Sequence, residues 1–234
     1  MLHGLPISQL AARIRRDLEA ALERDPAAKS PLEVVLAYPG FHARQLHRLA
    51  HSLHQRKLPI LPRLISHLNR GLTGIEIHPA ARIGQGLFID HGMGIVIGET
   101  AEIGDDVTLY QGVTLGGSSR LREKRHPTLR DGVVVGAHAQ LIGAIEVGEG
   151  ARIGAGSVVV TSVPPYSTVV GVPGRAVGVR YPDRPIARLP DPEADDIERI
   201  ERRLAELEAR LAELEHRDSD DTADHRTLHQ TAER

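Results

Sequence analysis

The chain has no cysteine and no tryptophan, and only three of its basic side chains, Lys29, Lys57 and Lys124, are lysines. Without cysteine there is no disulfide, no thiolate nucleophile and no cysteine-ligated zinc. No run of about 20 apolar residues is available to span a bilayer. The N-terminal stretch is amphipathic and charged rather than one apolar run, so no signal peptide is expected and a cytoplasmic protein is the default. An excess of either charge is also missing. The 29 Lys and Arg against 31 Asp and Glu leave a formal charge of −2 and a pI near 6.7, which gives no electrostatic reason to expect a nucleic-acid or membrane partner. At 234 residues, one or two domains are expected.

What is present is a short repeat. Ile77, Ile83, Ile89, Ile95, Ala101, Val107 and Val113 recur at a step of six, and Gly86, Gly92, Gly98, Gly104 and Gly116 keep the same step. After an interruption the beat returns as Val135, Leu141, Val147, Ile153 and Val159, with Gly136, Gly148 and Gly154 directly after three of these. A helix repeats every ~3.6 residues and would not hold glycines in phase. The spacing predicts a β-helix over residues 73–178. Each hexad is a short strand plus a turn, three hexads (about 18 residues) make one triangular coil, and one aliphatic side chain per hexad fills the shaft. A β-sandwich with Gly-rich turns is the alternative, but its turns come at steps of roughly 8 to 12 residues.

The flanks read as helices. Ile7, Leu10, Ile14, Leu18 and Leu22 mark one helical face ending near Asp25-Pro26. Ser30-Pro31-Leu32-Glu33 is a capping box that starts a second helix, which Pro39-Gly40 breaks. Leu46, Leu49, Ala50 and Leu53 mark a third. Leu61, Leu64, Ile65 and Leu68 mark a fourth, closed by Gly71. Residues 1–72 are thus a helical cap. His47, His51 and His54 share a face of the third helix, near His42. A metal site there is conceivable, but no carboxylate lies at ligand spacing, and a solvated or interface-lining face is the expectation. The hexads stop at 117–130, a loop pushed out of a coil; it is either a binding loop or a passive insertion. Residues 171–175 form a turn closing the shaft, and 179–196 read as an extended linker. Ile197, Ile200, Leu204, Leu207, Leu211 and Leu214 alternate steps of three and four. That predicts a coiled-coil helix over 197–217 rather than a helix docked on its own subunit, followed by a disordered tail over 218–234. The class is α+β: helical cap, β-helix, coiled-coil helix.

Titratable side chains stand out on the flat faces of such a coil: Glu76, His78, Asp90, His91, Glu99 and His138, with His126 on the loop. Asp90 and His91 are neighbours on one strand and should point to opposite faces. Glu76 lies one coil before His91, three residues out of vertical register if the coil is about 18 residues.

These residues also carry a resemblance. IEIHPAA at 75–81, IDHGMGIVIGETA at 89–101, QGVTLGG at 111–117 and KRHPT at 124–128 resemble serine O-acetyltransferase, as do RDPA at 24–27, GFHA at 40–43, IGAGSVV at 153–159 and GVPGR at 171–175. The resemblance covers roughly residues 20–178. It implies a left-handed parallel β-helix and acetyl transfer from acetyl-CoA to the hydroxyl of L-serine, for cysteine synthesis, with no metal required. His91 matches the general base and Glu76 the acidic residue that orients it. Arg125 and His126 match residues holding the serine carboxylate and hydroxyl; Asp25 and Asp90 match those facing its amino group. Gly117 is the candidate oxyanion donor, and Ala137, Ala155, Arg152 and Arg175 the candidate coenzyme A contacts. The resemblance further implies a homotrimer, with a hexamer as runner-up, sites between neighbouring subunits, and cysteine as a possible feedback inhibitor. Members that dock cysteine synthase do so with a tail ending in isoleucine; this sequence ends Thr231-Ala232-Glu233-Arg234, so that complex is not expected. The rival readings are another acceptor, such as an amino sugar or homoserine, and a γ-class carbonic anhydrase with zinc on His78, His91 and His126. A non-catalytic scaffold is the third.

Overall fold

The computed structural model describes residues 7–179, 187–188 and 199–210. Helix α1 spans Ile7–Arg24. Helix α2 (Pro31–Ala37) begins as the capping box predicts: Ser30 Oγ accepts from the Glu33 N–H at 3.2 Å. The return bond differs, because Glu33 Oε2 accepts from the Lys29 N–H at 2.8 Å instead of that of Ser30. Helix α2 stops at Ala37, just before Pro39-Gly40 as predicted; Pro39 is then the first residue of α3 (Pro39–Gln55), and Gly40 lies inside that helix. A Cβ at Gly40 would fall 2.8 Å from Ile89 Cβ and closer still to its carbonyl oxygen, so glycine lets α3 press on the coil. Helix α4 (Leu61–Thr73) runs past Gly71 and is closed by Gly74 at φ +73.

Among the described residues, sixteen short strands follow. Face A stacks β1 (Glu76–Ile77), β4 (Val96–Ile97), β7 (Thr114–Gly116), β10 (Gln140–Ile142) and β13 (Val158–Val159). Face B stacks β2 (Arg82–Ile83), β5 (Glu102–Ile103), β8 (Thr128–Leu129) and β11 (Glu146–Val147). Face C stacks β3 (Phe88–Asp90), β6 (Thr108–Tyr110), β9 (Val134–Val135), β12 (Arg152–Ile153) and β14 (Ser167–Val170). Every neighbouring pair among these is parallel. Strand β15 (Arg175–Val179) then turns back antiparallel on β14, and β16 (Ala187–Arg188) pairs with it. The fold is therefore the parallel solenoid that the hexads predict, with helices before and after.

The shaft is built of register-paired aliphatics. On face A the column is Ile77, Ile97, Leu115, Leu141 and Val159; on face C it is Ile89, Leu109, Val135, Ile153 and Val169, all buried. Each contributes roughly 1.5–3 kcal/mol of burial. This register corrects the beat of six. Ile97, not Ile95, lies over Ile77, while Val96 lies over Glu76. The first coil therefore holds two more residues than three hexads, and the surplus lies at the turn 91–94 between β3 and β4. Ile95 is buried too, at 0% exposure, so the step from Ile89 to Ile95 hides the slip.

Polar side chains bolt the cap to the coil. Asp17, 3% exposed, accepts from Gly86 N–H at 3.0 Å and from Arg48 Nη2 at 2.5 Å. Arg44 donates to the carbonyls of Ile83 and Gly84 at 3.1 and 2.7 Å; burial lowers its pKa to about 9. Arg16 and Arg24 grip Asp106 at 2.5 and 2.7 Å. Helix α4 is seated the opposite way from its leucine pattern. Ser66, Asn69 and Thr73 are buried, with Ser66 Oγ donating to Ile77 O at 2.6 Å, whereas Leu61, Leu64, Leu68 and Leu72 face outward. Of the α3 histidines expected on a solvated or interface-lining face, His54 is exposed but His47 and His51 pack inward. His47 is buried and stacks on His51 at 5.6 Å, and a ring nitrogen of His51 lies 2.8 Å from Pro79 O. Burial pushes both below the usual histidine range.

Two compact units divide the chain at residues 189 and 190. In the second, residues 199–210 form a helix with Ile200, Leu204 and Leu207 exposed. The other heptad positions, Ile197, Leu211 and Leu214, lie outside the described residues, as do most of the linker, the tail over 218–234 and the four terminal residues. Among the described residues no helix is long and apolar enough to cross a membrane.

Candidate active site

Two groups of polar side chains gather at two different apices of the triangular coil. The first lies where face C turns into face A. Here the two extra residues bulge the chain outward, and His91 sits at φ +60, a left-handed conformation that non-glycine residues seldom adopt. That backbone overturns the expectation that Asp90 and His91 point apart. The left-handed turn folds the ring back, and His91 Nε2 lies 3.8 Å from Asp90 Oδ1. The imidazole side chain is 73% exposed. Asp25, in the turn after α1, faces the same apex. Tyr38 Oη donates to Asp25 Oδ2 at 2.6 Å and Ala27 N–H to Oδ1 at 2.7 Å. These bonds hold the Asp25 carboxyl below its ordinary range, with a smaller electrostatic contribution from His91. The same bond raises the Tyr38 pKa to about 12.

Glu76 does not join this group in the resting chain. Its carboxylate pairs with Arg70 Nη1 at 3.1 Å, and in register it lies under Val96, five positions past His91 rather than three. The pair is exposed, worth less than about 1 kcal/mol, and holds Glu76 only loosely.

The second group lies where face A turns into face B. The loop between β7 and β8, over 117–127, folds back here. The His126 ring lies over Gly98, where a Cβ would collide with it, and beside Gly117. His126 is 8% exposed, and burial, then Arg125, push its pKa down. Arg125 Nη2 meets Glu99 Oε2 at 2.5 Å, which lowers the Glu99 carboxyl. His78 stands nearby, with Nδ1 accepting from Ala80 N–H at 3.1 Å; burial takes its pKa to about 4.

The two groups are separated by the width of face A, on the order of 15–20 Å at ~3.3 Å per residue. One chain therefore brings Asp25, Asp90 and His91 together and Gly117, Arg125 and His126 together, but does not bring the two sets into one site. The carbonic anhydrase triad divides the same way, with His78 and His126 on one apex and His91 on the other. Among the described residues no three His, Asp or Glu side chains gather as a metal site.

Ala137 and Ala155 lie on the His91 apex, higher up the shaft. Gly156 N–H donates to Ala137 O at 2.8 Å, which stacks the two turns. Arg152 projects from β12 on face C and Arg175 begins β15. Sequence reasoning passed over Tyr38 and Thr100 because neither titrates near neutrality, and it left Glu99 without a role. The aromatic residue before Pro39 and the Glu-Thr pair after Gly98 were the available signals.

A family model described as the N-terminal region of serine acetyltransferase matches residues 6–46. The serine acetyltransferase of Synechococcus elongatus is 56% identical over 195 residues, covering 82% of this chain and 80% of that protein. The crystal structure of Neisseria gonorrhoeae serine acetyltransferase in complex with serine is 44% identical with a TM-score of 0.71, covering 73% of this chain and 70% of that one. Brucella abortus serine acetyltransferase in complex with coenzyme A is 43% identical with a TM-score of 0.72, covering 75% and 70%.

Proposed function

The chain belongs to the serine acetyltransferase family, and from that premise we propose that it transfers acetyl from acetyl-CoA to the hydroxyl of L-serine with His91 as general base. An alcohol is a poor nucleophile until a base takes its proton in the transition state, and an imidazole suits that task. His91 removes the proton as serine Oγ attacks the thioester carbonyl. The oxygen–carbon bond forms and the carbonyl oxygen becomes an oxyanion, for which the Gly117 N–H is the candidate donor. Collapse breaks the carbon–sulfur bond, and the proton on His91 passes to the departing thiolate. O-acetyl-L-serine and coenzyme A are the products.

The observation that carries this reading is the division of the site between two apices. Asp25 and Asp90 beside His91 suit an ammonium group; Arg125 and His126 on the other apex suit a carboxylate. An amino acid needs both, so a second copy must bring its Arg125 apex to the His91 apex of the first. A closed ring of heterologous contacts does this, and we take it to be a trimer. Two apolar features support that arrangement. Leu61, Leu64, Leu68 and Leu72 form an outward stripe on α4, and Met93, 67% exposed, stands two residues from His91. The exposed Ile200, Leu204 and Leu207 fit a parallel helical bundle.

Glu76 orients His91 once substrates close the site, since its exposed bond to Arg70 is cheaply broken. Acetyl-CoA lies along the His91 apex toward Ala137 and Ala155, with Arg152 and Arg175 as candidate phosphate partners. Cysteine carries the same ammonium and carboxylate as serine and would compete for these contacts. Release of free thiol from acetyl-CoA, followed with L-serine, homoserine and glucosamine as acceptors, tests the function. L-serine alone should support rapid release; equal rates with the other acceptors would overturn the assignment.

A further inference from the structure

Thr100 spends every polar atom it has on three consecutive loop residues. Its hydroxyl oxygen accepts from the backbone N–H of Arg125 at 3.0 Å and of His126 at 3.1 Å. The same oxygen lies 2.8 Å from His126 Nδ1, and the Thr100 backbone N–H lies 3.2 Å from that nitrogen. The Thr100 carbonyl accepts from Lys124 Nζ at 2.6 Å. A backbone N–H can only donate, so His126 Nδ1 is an acceptor and carries no proton. With both lone pairs of the hydroxyl taken by the two N–H groups, its hydrogen is left to point at the same ring nitrogen. The proton of a neutral His126 therefore resides on Nε2, the atom beside Gly117.

We propose that Thr100 is a positioning residue that holds the 117–127 loop on the coil and fixes His126 as the Nε2–H tautomer. The consequence is a division of labour between the two imidazoles. His126 offers its substrate a hydrogen-bond donor and no basic nitrogen, because the one unprotonated nitrogen is already bonded to Thr100. Proton removal then falls to His91 alone. Burial pushes the His126 pKa down and so favours the neutral ring, which donates without adding a charge. Glu99, the preceding residue, takes the guanidinium of Arg125 at 2.5 Å, so one dipeptide presents both loop side chains.

The inference rests on the reading of Arg125 and His126 as serine-binding groups, and two kinds of measurement keep the two claims apart. The ring nitrogens of His126, assigned by comparison with His126→Gln, are read by nitrogen-15 NMR at pH 7.5 in the full chain. The wild type should give the pattern of a neutral Nε2–H ring. A ring protonated on Nδ1, or a fast-exchanging mixture, would overturn the proposal whatever the enzyme's activity. Kinetics are then compared for Thr100→Val, which keeps the shape without the hydroxyl, and Thr100→Ser, which restores it. In Thr100→Val the KM for serine should rise roughly ten-fold, the worth of a lost hydrogen bond to a ring that must be held in one tautomer. The KM for acetyl-CoA should stay within two-fold, roughly, and Thr100→Ser should return serine KM to near wild type. Serine KM unchanged in Thr100→Val, or equally raised in Thr100→Ser, would refute a positioning role. If instead Arg125→Ala leaves serine KM unchanged, the serine-site reading fails while the tautomer result still stands or falls by itself.

Discussion

Replacing Asp17 by asparagine should loosen the helical cap from the coil. The Asp17 side chain is 2% exposed and is the counter-charge to Arg48 at 2.5 Å and Arg44 at 3.9 Å, whose own side chains are 12% and 5% exposed. It also accepts from Gln45 at 3.2 Å and from Gly86 N–H at 3.0 Å. Asn keeps the volume and removes the charge, leaving two buried guanidiniums uncompensated. Breaking a buried ion pair on one side costs about 3–5 kcal/mol. At roughly 2–4 °C per kcal/mol for a chain of this size, the melting temperature should fall on the order of 10 °C. Thermal unfolding followed by circular dichroism at one fixed protomer concentration measures this, since assembly makes the midpoint concentration-dependent. Adding Arg48→Met to Asp17→Asn should recover part of the loss, because the stranded charge is gone. Serine KM should rise as well, since α1 ends at the turn carrying Asp25. An Asp17→Asn protein melting within about 2 °C of wild type would refute the view that this network holds the cap.

Three further outcomes follow from the same geometry. Tyr38→Phe removes the 2.6 Å bond to Asp25, so serine KM should rise roughly five- to ten-fold with the fold intact; an unchanged KM would show that Asp25 needs no such support. Gly98→Ala places a methyl group inside the His126 ring position, so thiol release should fall at least roughly ten-fold while circular dichroism stays as in wild type. Stability should depend on pH through His47, His51 and His78, all pushed down by burial and the last to about 4. Their unfolded forms titrate near 6.5, so protons favour unfolding below that value. The stabilisation is complete above pH ~6.5 and is lost as pH falls toward 4. The urea midpoint should drop between pH 7 and pH 5, less so in His78→Gln; equal midpoints at both would contradict this.

The shaft was legible because its aliphatics recur, and recurrence survives without coordinates. The surplus at 91–94 was not, because two adjacent columns of the prism are both buried. Ile95 belongs with Ile75 and Val113, while Ile89 belongs with Leu109, and a count of six steps from one column to the other unnoticed. That is also why Glu76 lies further from His91 than the count implied. The seat of the fourth helix was not legible either. Its leucines mark an apolar face faithfully, but sequence cannot say whether the partner is the same chain or another, and here the polar face with Ser66 and Asn69 packs inward. The motif names His91, Asp25, Arg125 and His126 only as candidates; that they fall on two apices is a property of the winding. Thr100 escaped notice because a hydroxyl with no anomaly in sequence becomes informative only when its partners are seen.

The most direct test of a shared site is complementation between two inactive chains. His91→Ala alone and Arg125→Ala/His126→Ala alone should each lose at least roughly a hundred-fold in serine-dependent thiol release. When the two are co-expressed in equal amounts, an intact site needs the His91 apex of one parent and the Arg125 apex of the other. Random assembly into a closed ring should therefore restore about a quarter of wild-type activity. A mixture as inactive as its parents, with mixed oligomers verified by mass, would contradict the account.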